Sequence, residues 1–360
     1  MEKIKTGIAS FGLSGQVFHA PFLDVHEGFE LSVIAERSNN LARGAYPGVQ
    51  VVRSFDDLLA TDIELVVVNT PGQTHADYCR QALEAGKHVV VEKPFVPTSA
   101  EAQALIRLAE EKGLLLTVFQ NRRFDGDFLT VKQILQSGEL GRIVEFQSAF
   151  QRYRPDMAAA RAPWREEPLP GNGITYDLCS HLSDQALALF GRPDGVWATL
   201  ASQRDGSRVD DYSLMQLLYP NLTVTLRAGM IIREEGPRFA VHGTKGSYVK
   251  YGLDPQEDLL RSGKATPSRQ AWAAESEAEW GILNTDAGRR KYPTVRGTTW
   301  ATTMPFTALC VTAGPHRCHA KRCLPISGCS KPHSKATEAA VRSKSDRHTT
   351  RSTAGILYYT

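Results

Sequence analysis

The chain lacks any run of about 18 apolar residues, the length needed to cross a bilayer as a helix. The opening Met1-Glu2-Lys3-Ile4-Lys5 leads into a short β-like segment rather than the apolar core of a signal peptide, so a soluble cytoplasmic protein is expected. Cysteine is scarce where the sequence is regular: only Cys79 and Cys179 precede residue 298, which suits a reducing compartment and excludes a disulfide scaffold. The other four, Cys310, Cys318, Cys323 and Cys329, crowd the C-terminal stretch with His319 but without paired C-x-x-C knuckles, so no metal site is expected. There is also no polybasic run and no interleaved aromatic platform, which argues against nucleic acid and membrane partners.

What is present is ordinary globular composition, with 42% hydrophobic and 22% charged residues and 29 glycines. At 360 residues the chain exceeds the size at which one core stops growing, about 250–300 residues, so two domains are expected. The net charge of +3 conceals a division, because residues 298–360 hold 9 of the 42 Lys and Arg but only 2 of the 39 Asp and Glu. The preceding body is therefore mildly acidic.

From residue 3 to about 120, short β-rich apolar runs alternate with amphipathic stretches, the pattern of βαβ units and a parallel sheet. Strands are predicted at 4–10, 30–36, 49–52, 65–69, 88–92 and 114–119. Leu65-Val66-Val67-Val68 and Val89-Val90-Val91 are continuously apolar, as buried parallel strands should be. Thr98-Ser99-Ala100-Glu101 forms a capping box before a helical stripe of Ala102, Leu105, Ile106 and Ala109 that ends before Gly113. Beyond residue 120 the pattern predicts helices at 127–137 and 174–190 and strands at 143–153, 196–204, 212–219 and 223–231. Turns separate the last three, which favours antiparallel pairing in an open sheet covered by helices on one face. The fold class is thus α/β, an N-terminal parallel-sheet domain followed by an α+β domain.

Four groups of residues carry candidate chemistry. Ser10-Phe11-Gly12-Leu13-Ser14-Gly15 follows the first strand and matches the G-x-G-x-x-G dinucleotide fingerprint with Ser in the first position. Such glycines let the backbone turn tightly and approach a pyrophosphate, which unpaired helix-terminal amides stabilise. Glu36, 21 residues beyond Gly15, ends the second strand, where a carboxylate can accept from ribose hydroxyls and favour NAD. Arg37 and Ser38 point the other way, toward the 2′-phosphate of NADP, and the choice stays open. At three further strand ends stand Asn69-Thr70-Pro71 with His75, Glu92-Lys93-Pro94, and Gln120-Asn121-Arg122-Arg123. A lysine held in a cleft offers three donors to a substrate hydroxyl. Lastly, Asp177 and His181 are spaced to share one helix face, either as a site or as a helix ion pair.

Together these motifs resemble the Gfo/Idh/MocA oxidoreductases, and flanking stretches resemble their scyllo-inositol dehydrogenase-like branch. Those stretches include Phe18-His19-Ala20-Pro21, Gln120-Asn121-Arg122-Arg123-Phe124-Asp125, Tyr153-Arg154-Pro155, Trp164-Arg165 and His242-Gly243-Thr244-Lys245-Gly246-Ser247. The resemblance implies an N-terminal Rossmann domain over residues 1–121 and a substrate-binding and oligomerisation domain over 122–297, with a mostly antiparallel sheet through which copies associate. It implies that NAD or NADP is held by Gly12, Leu13, Ser14, Gly15, Glu36, Arg37, Asn69, Thr70, Pro71, His75, Glu92 and Lys93. By the same resemblance Lys93 binds the reacting hydroxyl of a polyol, inositol or sugar, His181 takes its proton and Asp177 orients the substrate. Asn121, Tyr153 and Trp164 are expected to line the substrate, and Lys93-Pro94 to be a cis peptide. A non-catalytic dinucleotide sensor or scaffold is the rival reading, since a fold alone does not establish chemistry.

The resemblance stops near Gly297, where periodicity vanishes. Family members continue with a Gly-Asn-Tyr stretch. Read one nucleotide out of frame, the codons of Thr298-Thr299-Trp300-Ala301-Thr302-Thr303-Met304-Pro305 permit Asn-Tyr-Met-Gly-Tyr-Tyr-Asp. A frameshift is therefore expected near Gly297, with residues 298–360 an aberrant, disordered tail and an inactive enzyme as one consequence.

Overall fold

The computed structural model describes residues 2–157, 163–263, 267 and 273–298. The expectations for the tail beyond residue 298, including its cysteines, lie outside the described residues.

The first half alternates strand and helix in the predicted manner: β1 (Ile4–Ile8), α1 (Ala20–Val25), β2 (Phe29–Ala35), α2 (Leu41–Ala45), β3 (Gln50–Val52), α3 (Phe55–Leu59), β4 (Leu65–Val68), α4 (His75–Glu84), β5 (His88–Val91), α5 (Ser99–Lys112) and β6 (Leu116–Val118). All six strands are parallel, in the order β3-β2-β1-β4-β5-β6. The order reverses between β1 and β4, and ligands of such sheets bind at that switch point, beyond the strands' carboxyl ends. Every residue of β4 is buried, as its unbroken apolar run requires. The capping box of α5 forms in full, with Thr98 and Glu101 each satisfying the other's backbone amide, and Gly113 ends the helix at φ 66°.

A short 3₁₀ turn, Asn121–Phe124, leads into the second half. There follow α6 (Gly126–Ser137), β7 (Ile143–Gln151), α7 (Ser180–Phe190), β8 (Gly195–Ala201), β9 (Tyr212–Tyr219), β10 (Leu222–Gly229), β11 (Phe239–Gly243), β12 (Gly246–Lys250), α8 (Gln256–Arg261), β13 (Gly281–Thr285) and β14 (Gly288–Tyr292). The eight strands form one sheet in the order β14-β13-β12-β11-β7-β10-β9-β8. Each neighbouring pair is antiparallel except β7 and β10, which run parallel because the chain returns to β7's flank after the long crossover through α7.

Helices α6 and α7 cover one face of this sheet. Phe128, Val131 and Ile134 of α6 and Leu182 and Ala186 of α7 pack against Phe146, Phe150, Val224, Leu226 and Ala228. Each large apolar side chain so buried contributes roughly 1.5–3 kcal/mol. The predicted helix 174–190 is in fact two pieces, a wider π-type turn over Thr175–Cys179 running into α7. Strands β11–β14 were not predicted. Two of them are short and largely polar, and β14 (Gly-Arg-Arg-Lys-Tyr) is exposed at every position but Tyr292, so it shows no apolar alternation.

The two sheets are joined at the linking turn, where Arg123 grips Asp184 of α7 with two bonds of 2.8 and 2.6 Å. Near the end of the described chain, the Val295 and Thr298 amides donate to Thr130 Oγ1 and the Phe124 carbonyl, both at 2.8 Å.

Candidate functional site

The glycine loop leaves β1 and enters the turn Gly15–His19 that precedes α1. Its first helical bond runs from the Gln16 amide to the Gly12 carbonyl, 3.0 Å, so the amides of Leu13, Ser14 and Gly15 precede the helical ladder and are available to an anion. At Gly15 a Cβ would stand 2.3 Å from the Ser10 carbonyl oxygen, so only glycine permits this close return of the loop. Asn69, just beyond β4, braces the same loop: its amide donates to the Ser10 carbonyl (2.7 Å) and its Oδ1 accepts from the Ser10 amide (2.9 Å). Asn69 is buried and supports the cradle from behind.

Two residues expected at the cofactor are placed differently. The Glu36 carboxylate is 6% exposed and accepts from the amides of Leu41 (3.0 Å) and Ala42 (3.1 Å), which makes it the cap of α2. Arg37 and Ser38 lie exposed beside it. His75 is 1% exposed and its ring nitrogens face the carbonyls of Thr70 (2.9 Å), Pro94 (2.9 Å) and Phe95 (3.0 Å). It is thus a brace between the loops after β4 and β5, with no face left for a ligand. Thr70 turns its hydroxyl to Thr74 Oγ1 at 2.6 Å, and Pro71 opens the turn Gly72–Thr74.

At the end of β5 the chain passes Glu92 and the cis peptide Lys93-Pro94. Glu92 accepts from the Lys93 amide (3.1 Å) and pairs with His19 Nε2 (2.8 Å), so the turn after the glycine loop is tied to the lysine's backbone. Burial alone would push the Glu92 carboxyl up, but the His19 ring and the Lys93 ammonium hold it below its ordinary value. Lys93 Nζ reaches across to the second domain, donating to the Asp177 carbonyl (2.8 Å) and to Asp177 Oδ1 (3.0 Å). The same Oδ1 accepts from Arg165 Nη1 at 2.8 Å. Against the cost of its burial, Lys93 and then Arg165 keep Asp177 ionised far below the usual carboxylate range.

His181 lies in the first turn of α7 and is 5% exposed. Burial first, then the charges of Lys93 and Arg122, push its imidazole well below the ordinary histidine value, so it is neutral around pH 7. Its Nδ1 is buried with no hydrogen-bond partner among the described residues. The i, i+4 ion pair with Asp177 is therefore not what this segment makes, since Asp177 has turned to Lys93. A neutral base, an ammonium and a fixed carboxylate gathered near one domain junction are equipped to remove a proton from a hydroxyl and hold the resulting oxyanion.

Residues 4–120 match the model described as oxidoreductase family, NAD-binding Rossmann fold, and residues 128–249 match the GFO/IDH/MocA C-terminal domain. The chain belongs to the Gfo/Idh/MocA oxidoreductase family. It is 40% identical over 302 residues to scyllo-inositol 2-dehydrogenase (NADP(+)) of Bacillus subtilis (strain 168), covering 82% of this chain and 83% of the relative. An uncharacterized oxidoreductase of Escherichia coli (strain K12) is 44% identical over 267 residues, 74% of this chain and 76% of the relative. A crystal structure from Bacteroides fragilis, 48% identical, superposes with a TM-score of 0.79 over 89% of this chain and 93% of that one.

In this Gfo/Idh/MocA member the other expected substrate residues are half-buried or exposed. Asn121 opens the half-buried linking turn. Tyr153 is 42% exposed under the Arg233 guanidinium at 3.9 Å, and Trp164 is 37% exposed with Arg165 over its ring at 5.1 Å. Reading the residues alone missed His19, Arg152 and Arg165. His19 and Arg165 stood inside the quoted flanking stretches, but nothing local marks a histidine for a glutamate 73 positions away.

Both cysteines of the body, Cys79 and Cys179, are buried, and burial pushes the Cys179 thiol up to about 12. They are packing residues. Among the described residues no helix is long and apolar enough to cross a membrane.

Proposed function

We propose that this family member is a dehydrogenase of a polyol, inositol or sugar hydroxyl that prefers NADP over NAD. The observation that carries the reading is the junction itself: Lys93 from one domain is bonded to Asp177 from the other, beside a buried neutral histidine with an unpartnered nitrogen. The cradle fits a dinucleotide, because three helix-initial amides and the close-approach Gly15 leave room for a pyrophosphate and none for a side chain there. When bound, the nicotinamide supplies a two-electron acceptor for the hydride of the carbinol carbon. His181 takes the hydroxyl proton. Lys93, with two of its three donors spent on Asp177, directs the third to the oxygen and steadies the negative charge that develops there. Asp177 fixes the lysine in place.

The preference for NADP follows from the adenosine end. Glu36 spends both oxygens on α2 and is a poor ribose acceptor, whereas Arg37 and Ser38 are exposed where a 2′-phosphate needs donors. The Bacillus subtilis relative carries NADP(+) in its name. In the same proposal the protein acts in the cytoplasm on a small-molecule substrate and associates through the uncovered face of its second sheet.

The test is reduction of NADP and NAD by the purified protein across a panel of inositols, aldoses and linear polyols, followed by nicotinamide absorbance. Turnover with NADP on a member of the panel is expected. Tight dinucleotide binding without turnover of any hydroxyl compound would return the protein to the sensor class.

A further inference from the structure

Arg152 stands one residue beyond β7, and strand pairing continues through it: its amide donates to the Gly229 carbonyl (3.0 Å) and its carbonyl accepts from the Ile232 amide (2.9 Å). Side chains two apart on a strand share a face, so Arg152 follows Phe150 onto the side covered by α7. The Phe150 ring is 2% exposed and lies 6.2 Å from the His181 ring. Arg152 is thereby the next side chain on that face after the one that packs on the candidate base, and its charge is felt by Asp177.

Nearby carboxylates are already committed elsewhere. Asp177 Oδ1 serves Lys93 and Arg165, while Glu257 pairs with Arg122 and with Arg261, the latter at 2.7 Å. Among the described residues no carboxylate forms an ion pair with the half-buried Arg152 guanidinium. Burial first, reinforced by Arg154 and Arg122 and relieved in part by Asp177 and Glu257, pushes this guanidinium below its usual value. The junction thus holds three cations, Lys93, Arg152 and Arg165, against two carboxylates, Asp177 and Glu92, and a neutral imidazole, an excess of one positive charge. An oxidised nicotinamide would add a further positive charge. A neutral polyol leaves that excess uncompensated, whereas an anionic group offers the planar guanidinium a fork of acceptors.

We infer that Arg152 recognises an anionic group on the substrate, so that the preferred hydroxyl compound is an acidic sugar or cyclitol bearing a carboxylate or a phosphate. The inference rests on the dehydrogenase reading and narrows its substrate class. Matched pairs test it: glucuronate and gluconate against glucose and sorbitol, and inositol monophosphate against inositol, each as wild type, Arg152→Gln and Arg152→Lys. The acidic member of at least one pair should have the higher kcat/KM by about ten-fold or more, carried by KM. Arg152→Gln should abolish that advantage and Arg152→Lys should restore part of it. Whether the carboxylate or the phosphate pair responds names the anion. Turnover of the neutral compounds with no acidic advantage, or an advantage that survives Arg152→Gln, overturns this inference and leaves the dehydrogenase reading standing. Absence of turnover in every pair, with NADP bound, overturns both.

Discussion

Lys93 and Asp177, 84 residues apart in the chain, are joined across the domain junction by two hydrogen bonds from one ammonium, 2.8 Å to the main-chain carbonyl and 3.0 Å to Oδ1. Both side chains are mostly buried, with exposures of 14% and 23%. The pair therefore presets the ammonium before substrate arrives, which is the condition under which a charge stabilises a developing alkoxide without reorganising. Lys93→Met should lower kcat by about 10²–10³-fold. Dinucleotide affinity, measured by fluorescence titration, should change by no more than about three-fold, because the loop amides and Arg37 do not depend on the lysine. Equal losses in affinity and turnover would show that Lys93 merely shapes the cofactor groove.

His181 makes a prediction about pH with a definite sign. Its folded-state imidazole is held well below the ordinary value by burial and by Lys93 and Arg122, so it keeps its base form under acidic conditions where a free histidine would be protonated. The acid limb of kcat/KM for alcohol oxidation should lie below about pH 6.5. Stability follows the same linkage: as pH falls through about 6.5 the unfolded chain binds this proton first, so the folded state loses stability below that point and not above it. Replacing His181 with Asn should remove this share of the acid destabilisation, read from denaturant midpoints at pH 5 to 8, and should abolish the acid limb with the activity. An imidazole resonance titrating at its ordinary value would defeat the assignment.

The elements legible in the sequence are those whose signal is local. The α5 cap is written in Thr98 and Glu101, and the β4 core in four consecutive apolar residues, so both appear as expected. The predicted ends of β4 and β5 overshoot by one residue each, where the side chains of Asn69 and Glu92 act as brace and ion-pair partner. Residues whose role depends on a distant partner gave no such sign. A glutamate at the end of β2 looks the same whether it meets a ribose or caps α2, and the amides of Leu41 and Ala42 decide which. Similarly, His75 follows the ligand-facing end of β4 as the first residue of α4, yet three carbonyls from two loops enclose it.

Among the described residues the second sheet has helices on one face only. On its outer face Trp197 is 52% exposed and Leu218 49%, and Trp197 stands opposite Gln216 across the β8–β9 ladder. Exposed apolar groups on an uncovered sheet are the expected mark of self-association. In light scattering the wild type should be a multimer, and Trp197→Glu should shift it toward monomer while leaving the far-ultraviolet circular dichroism unchanged. A monomeric wild type at micromolar concentration would remove the oligomer from the proposal.

Cofactor choice separates Glu36 from Arg37. Because the Glu36 carboxylate caps α2 through two amides, Glu36→Ala should cost about 1 kcal/mol of stability, as loss of a helix cap does, and should lower the melting temperature with little effect on discrimination between NAD and NADP. Arg37→Ala should instead raise the KM for NADP by about ten-fold or more and leave that for NAD nearly constant, because a guanidinium on a phosphate makes charge-assisted bonds worth about 1.5–3 kcal/mol. The two variants thus report different quantities, one a midpoint and the other a ratio of specificities. A Glu36→Ala protein of unaltered stability that loses NAD activity alone would restore the carboxylate to the ribose and reverse the preference proposed for the chain.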